Sequence, residues 1–119
     1  MELEKNKILV VDDNHELAEI VCQFLESQGF DICVAHNGNS ALRKVSSEAP
    51  HVVLLDLKLP DISGADVLKK IKEIDENIGV IILTGYGGEQ IAVDLMKTGA
   101  QDFISKPFER EALLRSVKN

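Results

Sequence analysis

Two cysteines, three prolines, a single tyrosine and no tryptophan are all that these residue types contribute to a chain of 119 residues. Cys22 and Cys33 have no CxxC spacing and stand in no metal-like cluster, so they read as reduced structural thiols. That argues against a disulfide-stapled fold. Basic residues are also scarce: 13 Lys and Arg face 20 Asp and Glu, for a net charge of −7. A nucleic-acid reader carries a basic stripe, so direct DNA or RNA binding by this domain is not expected. No apolar run approaches the ~18 residues of a membrane span. The start, Met1-Glu2-Leu3-Glu4-Lys5-Asn6-Lys7, lacks the layout of a secretory signal. The expectation is a cytoplasmic protein with no membrane partner. There is no internal repeat, low-complexity tract or linker either. What remains is 45% hydrophobic and 28% charged, an ordinary globular composition at the size of one domain. At this length folding hides about two-thirds of the surface of the unfolded chain, enough for a core without disulfides.

Five short apolar runs alternate with five stretches of helical period. The runs are Ile8-Leu9-Val10-Val11, Ile32-Cys33-Val34-Ala35, Val52-Val53-Leu54-Leu55, Val80-Ile81-Ile82-Leu83 and Phe103-Ile104. The first, third and fourth are unbroken aliphatic blocks, as expected of strands covered on both faces. Between them, Leu17, Ile20, Val21, Phe24 and Leu25 form a helical stripe stopped by Gly29. A second stripe holds Ala41, Leu42 and Val45, followed by Pro50. The third holds Val67, Leu68, Ile71 and Ile74, and Ser63-Gly64-Ala65-Asp66 before it fits a capping pattern. Ile91, Ala92, Leu95 and Met96 make the fourth, stopped by Gly99, and Met96 reads as core. Ala112, Leu113 and Val117 make the fifth. Strict alternation predicts an α/β fold, a (βα)5 doubly wound parallel sheet with right-handed crossovers.

In such a sheet, ligands bind beyond the carboxyl ends of the strands. The residues following the apolar runs are Asp12 and Asp13, then His36-Asn37-Gly38, then Asp56, then Thr84-Gly85, then Ser105-Lys106-Pro107. The second set reads as a plain turn. The others bring three carboxylates, a hydroxyl and an ammonium to one edge. Carboxylates a few ångströms apart repel by about 4 kcal/mol per pair at an effective dielectric of about 20. A hard divalent ion relieves that strain, and Mg²⁺ suits best because it accepts one or two carboxylates and leaves room for a phosphate. Lys106 and Thr84 would then serve the oxygens of a transferred phosphoryl group, with an aspartate as nucleophile.

Leu9-Val10-Val11-Asp12-Asp13, Val53-Leu54-Leu55-Asp56-Leu57, Leu83-Thr84-Gly85 and Lys106-Pro107-Phe108, in this order, resemble the receiver domain of two-component response regulators. The likeness spans essentially the whole chain, residues 1–119, as a single receiver with no output domain. It implies a flavodoxin-like sheet of strand order 2-1-3-4-5. It also implies that Asp56 is the phospho-acceptor, loaded by a sensor histidine kinase or phosphotransfer protein in a phosphorelay. Mg²⁺ would be bound by Asp13, Asp56 and the backbone carbonyl of Lys58, with Asp12 acting mostly through water. Thr84 would contact the phosphoryl group and Lys106 would bridge to it, across a cis Lys106-Pro107 bond. Phe103 occupies the aromatic switch position. The face of the fourth helix, fifth strand and fifth helix would carry a homodimer or output contact. Such a domain is a phosphorylation switch that catalyses its own phosphorylation and dephosphorylation, not a turnover enzyme.

Some positions depart from the pattern or vary within it. Asn14 stands where a third acidic residue is frequent, and it can cap the following helix. The positions two beyond Asp56 and Thr84 vary in the family, and the resemblance implies that they influence phosphoryl lifetime; here they are Lys58 and Tyr86, a bulky pair expected to hinder an attacking water. The stretch from Gly99 to Phe108 also resembles receivers attached to transcriptional regulators, which favours the N-terminal part of a longer regulator; the alternative is a stand-alone single-domain regulator. A Mg²⁺ phosphatase of the haloacid-dehalogenase type places its nucleophile before the acidic pair and needs a second Asp where Lys58 stands. Gly85-Tyr86-Gly87-Gly88 follows a strand, but Gln90 breaks a dinucleotide fingerprint, so it reads as a loop. His15, His36 and His51 read as exposed helix or turn residues, with no obvious metal partners for His15. Lys69-Lys70 and Glu109-Arg110-Glu111 read as solvated faces or partner-binding rims.

Overall fold

Unbroken aliphatic blocks become the centre of the sheet because both of their faces are covered. The computed structural model describes residues 6–85 and 88–118, so Tyr86 and Gly87 lie outside it. Among these residues five strands alternate with five helices: β1 Lys7–Val11, α1 His15–Ser27, β2 Asp31–Ala35, α2 Gly38–Glu48, β3 Val52–Asp56, α3 Gly64–Ile74, β4 Gly79–Thr84, α4 Glu89–Met96, β5 Asp102–Ser105 and α5 Arg110–Lys118. The strands are parallel throughout, in the order β2-β1-β3-β4-β5.

Alternate residues of the three inner strands supply two separate cores. Leu9, Val11, Val53, Leu55, Val80 and Ile82 face α2, α3 and α4, meeting Ala41, Val67, Leu68, Ile71 and Ala92. Ile8, Val10, Leu54, Ile81 and Leu83 face the other way, onto Ala18, Val21 and Leu25 of α1 and Leu113 and Val117 of α5. Each such Leu or Ile contributes about 1.5–3 kcal/mol by leaving water. The edge strands β2 and β5 are only partly buried, which fits the more mixed run of β2 and the short run of β5.

The punctuation behaves as its chemistry demands. The side chain of Asn14 accepts the Leu17 N–H at 3.1 Å and starts α1; that of Ser63 accepts the Asp66 N–H at 3.2 Å and starts α3. Gly29 and Gly99 follow α1 and α4 with φ of 96° and 125°, values that an L side chain resists.

Four apolar residues assigned to helical stripes are instead exposed: Ile20, Ile74, Ile91 and Met96. Successive helix residues turn by about 100°. In α4 the buried positions are Ala92 and Leu95, so Ile91 and Met96 lie to either side of the contact line. Met96 is therefore not core. Ile20 stands in the same relation to buried Val21, and Ile74 is the last residue of α3.

Candidate functional site

Strand register brings the polar residues to one level. Val11 pairs with Leu55, so Asp12 and Asp56 each follow a paired residue on adjacent strands. Thr84 pairs with Ser105, and Lys106 comes next. Because β1 lies between β2 and β3, the crevice where strand order reverses opens between Asp12 and Asp56, the place where doubly wound sheets take ligands.

Asp12 is 1% exposed and Asp56 7%. One carboxylate oxygen from each of Asp12, Asp13 and Asp56 lies within 4.8 Å of the others. Asp13 is exposed. Lys106 Nζ donates to Asp12 Oδ2 at 3.0 Å and lies 3.5 Å from Asp56 Oδ2. Asp12 Oδ1 accepts the Asn14 N–H at 3.0 Å, which orients the carboxylate from its own turn. The Lys58 N–H reaches Asp56 Oδ1 at a long 3.4 Å. Burial pushes the Asp56 carboxyl above the usual carboxylate range; Lys106 opposes that shift and the Asp12 charge adds to it.

Thr84 is fully buried, and its Oγ1 has no hydrogen-bond partner among the described residues. Such an orphan hydroxyl costs about 1–3 kcal/mol, and a ligand oxygen would satisfy it. The Lys106 N–H donates to the Thr84 carbonyl at 2.7 Å, and the Lys106-Pro107 peptide is cis. Phe103 is half-buried against the core that β4 shares with α4. A cavity of about 370 Å³ opens beside the site, lined by Asp56, Leu57, Lys58, Gly64, Gly85 and Ile91. Gly64 keeps that wall close, since a Cβ there would stand 2.7 Å from Leu57 Cα.

Hard oxygen donors from three carboxylates suit a hard divalent ion such as Mg²⁺, and the unpaired hydroxyl and the ammonium suit phosphoryl oxygens. The residues present fit both groups. Asp12, Asp13, Asp56, Thr84 and Lys106 gather as the strand-end reading predicts. Tyr86 lies outside the described residues, and Phe103 stands apart from the carboxylates.

Two features escape sequence reasoning. His36 is more than a turn residue: its Nδ1–H donates to the Asp12 carbonyl at 2.9 Å, and its ring stacks on His15 with centroids 3.6 Å apart. Both histidines follow strands that end at the same edge, which brings their segments near one another but does not specify that the rings stack. Asp61 also binds the start of α2, 22 and 23 residues away. No spacing rule marks that contact.

Residues 8–118 match the response regulator receiver domain family. The chain is 38% identical over 112 residues to sporulation initiation phosphotransferase F of Bacillus subtilis, covering 94% of this chain and 90% of that protein. It is 34% identical to the luminescence regulatory protein LuxO of Vibrio campbellii, over 92% of this chain but only 24% of that one. Among solved structures, the receiver domain of NtrX from Brucella abortus superposes with a TM-score of 0.90 at 33% identity, covering 93% of this chain and 94% of that one. A CheY-like receiver domain protein from Methanospirillum hungatei gives a TM-score of 0.91 at 30% identity, covering 97% and 92%.

Proposed function

Because this chain belongs to the response regulator receiver domain family, we propose that Asp56 takes the phosphoryl group from a phosphohistidine of a sensor histidine kinase or phosphotransfer protein. One observation carries the assignment: the Lys106 ammonium lies between buried Asp12 and Asp56, at 3.0 and 3.5 Å, beside three converging carboxylates. A carboxylate oxygen of Asp56 forms the new bond to phosphorus. The bond from phosphorus to the donor nitrogen breaks, and its electron pair stays on the imidazole. Lys106 balances the charge that arrives with the phosphoryl oxygens, and the Thr84 hydroxyl donates to one of them.

Asp12, Asp13, Asp56 and the backbone carbonyl of Lys58 would hold Mg²⁺, Asp12 mostly through water. When bound, the ion neutralises phosphoryl oxygens as a Lewis acid. Around it, the chain's own groups position the acceptor for phosphorylation, and a water attacking phosphorus would return the Asp56 carboxylate and release inorganic phosphate, so the domain catalyses both its phosphorylation and its dephosphorylation.

The readout is a protein-protein face built from α4, β5 and α5, which takes part in a homodimer or output contact. Exposed Ile91, Val93 and Met96 on α4 support this. A cytoplasmic location goes with the kinase partner. Matched relatives include a protein of nearly this length and a much longer regulator. Of the two settings, the N-terminal receiver of a transcriptional regulator is our reading, and the stand-alone regulator is its alternative.

The test is incubation with acetyl phosphate and Mg²⁺ followed by intact mass measurement. One phosphoryl group should add, Asp56→Asn should take none, and hydroxylamine should remove the adduct as it does an acyl phosphate. A hydroxylamine-stable adduct, or equal labelling of Asp56→Asn, would overturn the assignment.

A further inference from the structure

The N-terminus of α2 is capped twice. Its own leading residue does the ordinary work: the Asn37 side chain accepts the Ser40 N–H at 2.8 Å. The first two helical N–H groups, which have no partner within the helix, go elsewhere. Gly38 N–H donates to Asp61 Oδ1 at 2.7 Å and Asn39 N–H to Asp61 Oδ2 at 2.8 Å. Asp61 sits on the loop between β3 and α3, and its Oδ1 also accepts the Ile62 N–H at 2.9 Å. Charge-assisted bonds of this kind are about twice as strong as neutral ones. The Asn39 N–H above all holds the Asp61 carboxyl below the usual carboxylate range, so it stays ionised where the helix dipole favours an anion.

The second cap adds a charged tie between the β3–α3 loop and the start of α2, which also pack directly through Ile62 against Gly38. The clamped loop runs from Leu57 to Ser63 and contains Lys58, whose N–H points to Asp56. Its far end is held by the Gly64 N–H on the Leu57 carbonyl at 3.0 Å. The turn that Asp61 grips begins at His36, which donates to the Asp12 carbonyl. Close approach is built in. A Cβ on Gly38 would stand 2.5 Å from Ile62 Cγ1, so glycine lets the loop seat on the helix. Asp61 therefore ties the loop that follows Asp56 to the turn that buttresses Asp12.

We propose that Asp61 is a positioning residue for phosphoryl transfer, fixing the loop that presents the Lys58 backbone to Asp56 and holding it in register with Asp12. This rests on the assignment of Asp56 as acceptor. Asp61 touches neither phosphoryl group nor metal; it acts through the loop.

The experiment compares Asp61→Ala and Asp61→Asn with Asn37→Ala, which removes the ordinary cap of the same helix and leaves the loop clamp intact. Melting temperature, Mg²⁺ affinity by calorimetry, acetyl phosphate labelling rate and amide exchange are measured on each. All three variants should melt lower than the parent. Only the Asp61 variants should lose Mg²⁺ affinity and labelling rate, on the order of 10-fold for Asp61→Ala, as when the outer partner of a metal ligand is removed. Asp61→Asn should lose less, since one amide oxygen still accepts. Exchange should rise at Lys58 as well as at Gly38 and Asn39 in the Asp61 variants, and only at the helix start in Asn37→Ala. If Asp61→Ala does not fold, Asp61→Asn carries the comparison alone. Affinity and labelling in the Asp61 variants equal to those of Asn37→Ala would overturn the proposal, as would exchange changes confined to the helix start. A parent that takes no phosphoryl group would instead overturn the reading on which the proposal rests.

Discussion

Lys106 lies nearer to Asp12 than to Asp56, the proposed acceptor: its Nζ is 3.0 Å from Asp12 Oδ2 and 3.5 Å from Asp56 Oδ2. In the metal-free protein this ammonium acts as the counter-ion of a buried acidic pair. Removing one partner of such a pair leaves charge uncompensated. Lys106→Met should cost about 1–3 kcal/mol in chelator, less than a fully buried pair because the lysine is partly exposed. Mg²⁺ should recover much of that loss, since the ion supplies the missing positive charge. Thermal melts with and without Mg²⁺ decide it, and an equal loss in both would refute the role.

Asp13 is the exposed member of the carboxylate set. On the proposed function its charge would serve a cation, and it opposes its neighbours when none is bound. Asp13→Asn should raise the melting temperature in chelator by ~1–5 °C and weaken Mg²⁺ binding. Added Mg²⁺ should stabilise the parent by mass action and the variant less. A variant that melts lower in chelator and binds Mg²⁺ as the parent does would show that the acidic pocket is not a metal site.

The raised Asp56 carboxyl sets the sign of a pH dependence. Burial is the main cause, so the folded state holds the proton more tightly than the unfolded chain. Ionising Asp56 therefore costs stability. That cost is absent below the ordinary carboxylate range and grows in as pH rises through the folded value. In chelator, Asp56→Asn should be more stable than the parent at neutral pH, and the difference should shrink on mild acidification. Mg²⁺ affinity of the parent should fall over the same window, because the proton competes for Asp56. Denaturant melts of both proteins across that range are the measurement, and a constant difference would contradict the shift.

Phosphorylation of Asp56, as proposed, would add charge and acceptor oxygens beside Thr84. Thr84 Oγ1 has no partner among the described residues, so movement toward the phosphoryl group should satisfy it and free space behind β4. Phe103, half-buried on adjacent β5, is placed to fill that space. Burial of the ring favours the switched state by a few kcal/mol at most, roughly the Phe transfer energy, enough to bias two conformers. A beryllofluoride mimic should strengthen self-association through α4, β5 and α5. Phe103→Ala should weaken that response while leaving Asp56 labelling nearly intact. Equal responses in parent and variant, or amide-exchange changes confined to α1 and α2, would place the switch elsewhere.

Much of this protein is legible in one dimension because its determinants are local. The aliphatic blocks at Ile8, Val52 and Val80 announce inner strands, since only a strand covered on both faces tolerates no polar alternation. Ser63, Asn14, Gly29 and Gly99 mark helix ends through chemistry confined to one turn. Aspartates directly after such strands announce a site, because parallel strands must end at one edge. The tertiary structure alone decided what depends on two loops meeting. His15 stacks on His36 and Asp61 caps α2 across more than 20 residues of sequence; neither contact has a period or a spacing to betray it. Burial of single helix positions was likewise undecided, as Ile91 and Met96 show. An apolar residue states a preference for the interior, but the angle at which a helix meets the sheet determines which ones obtain it.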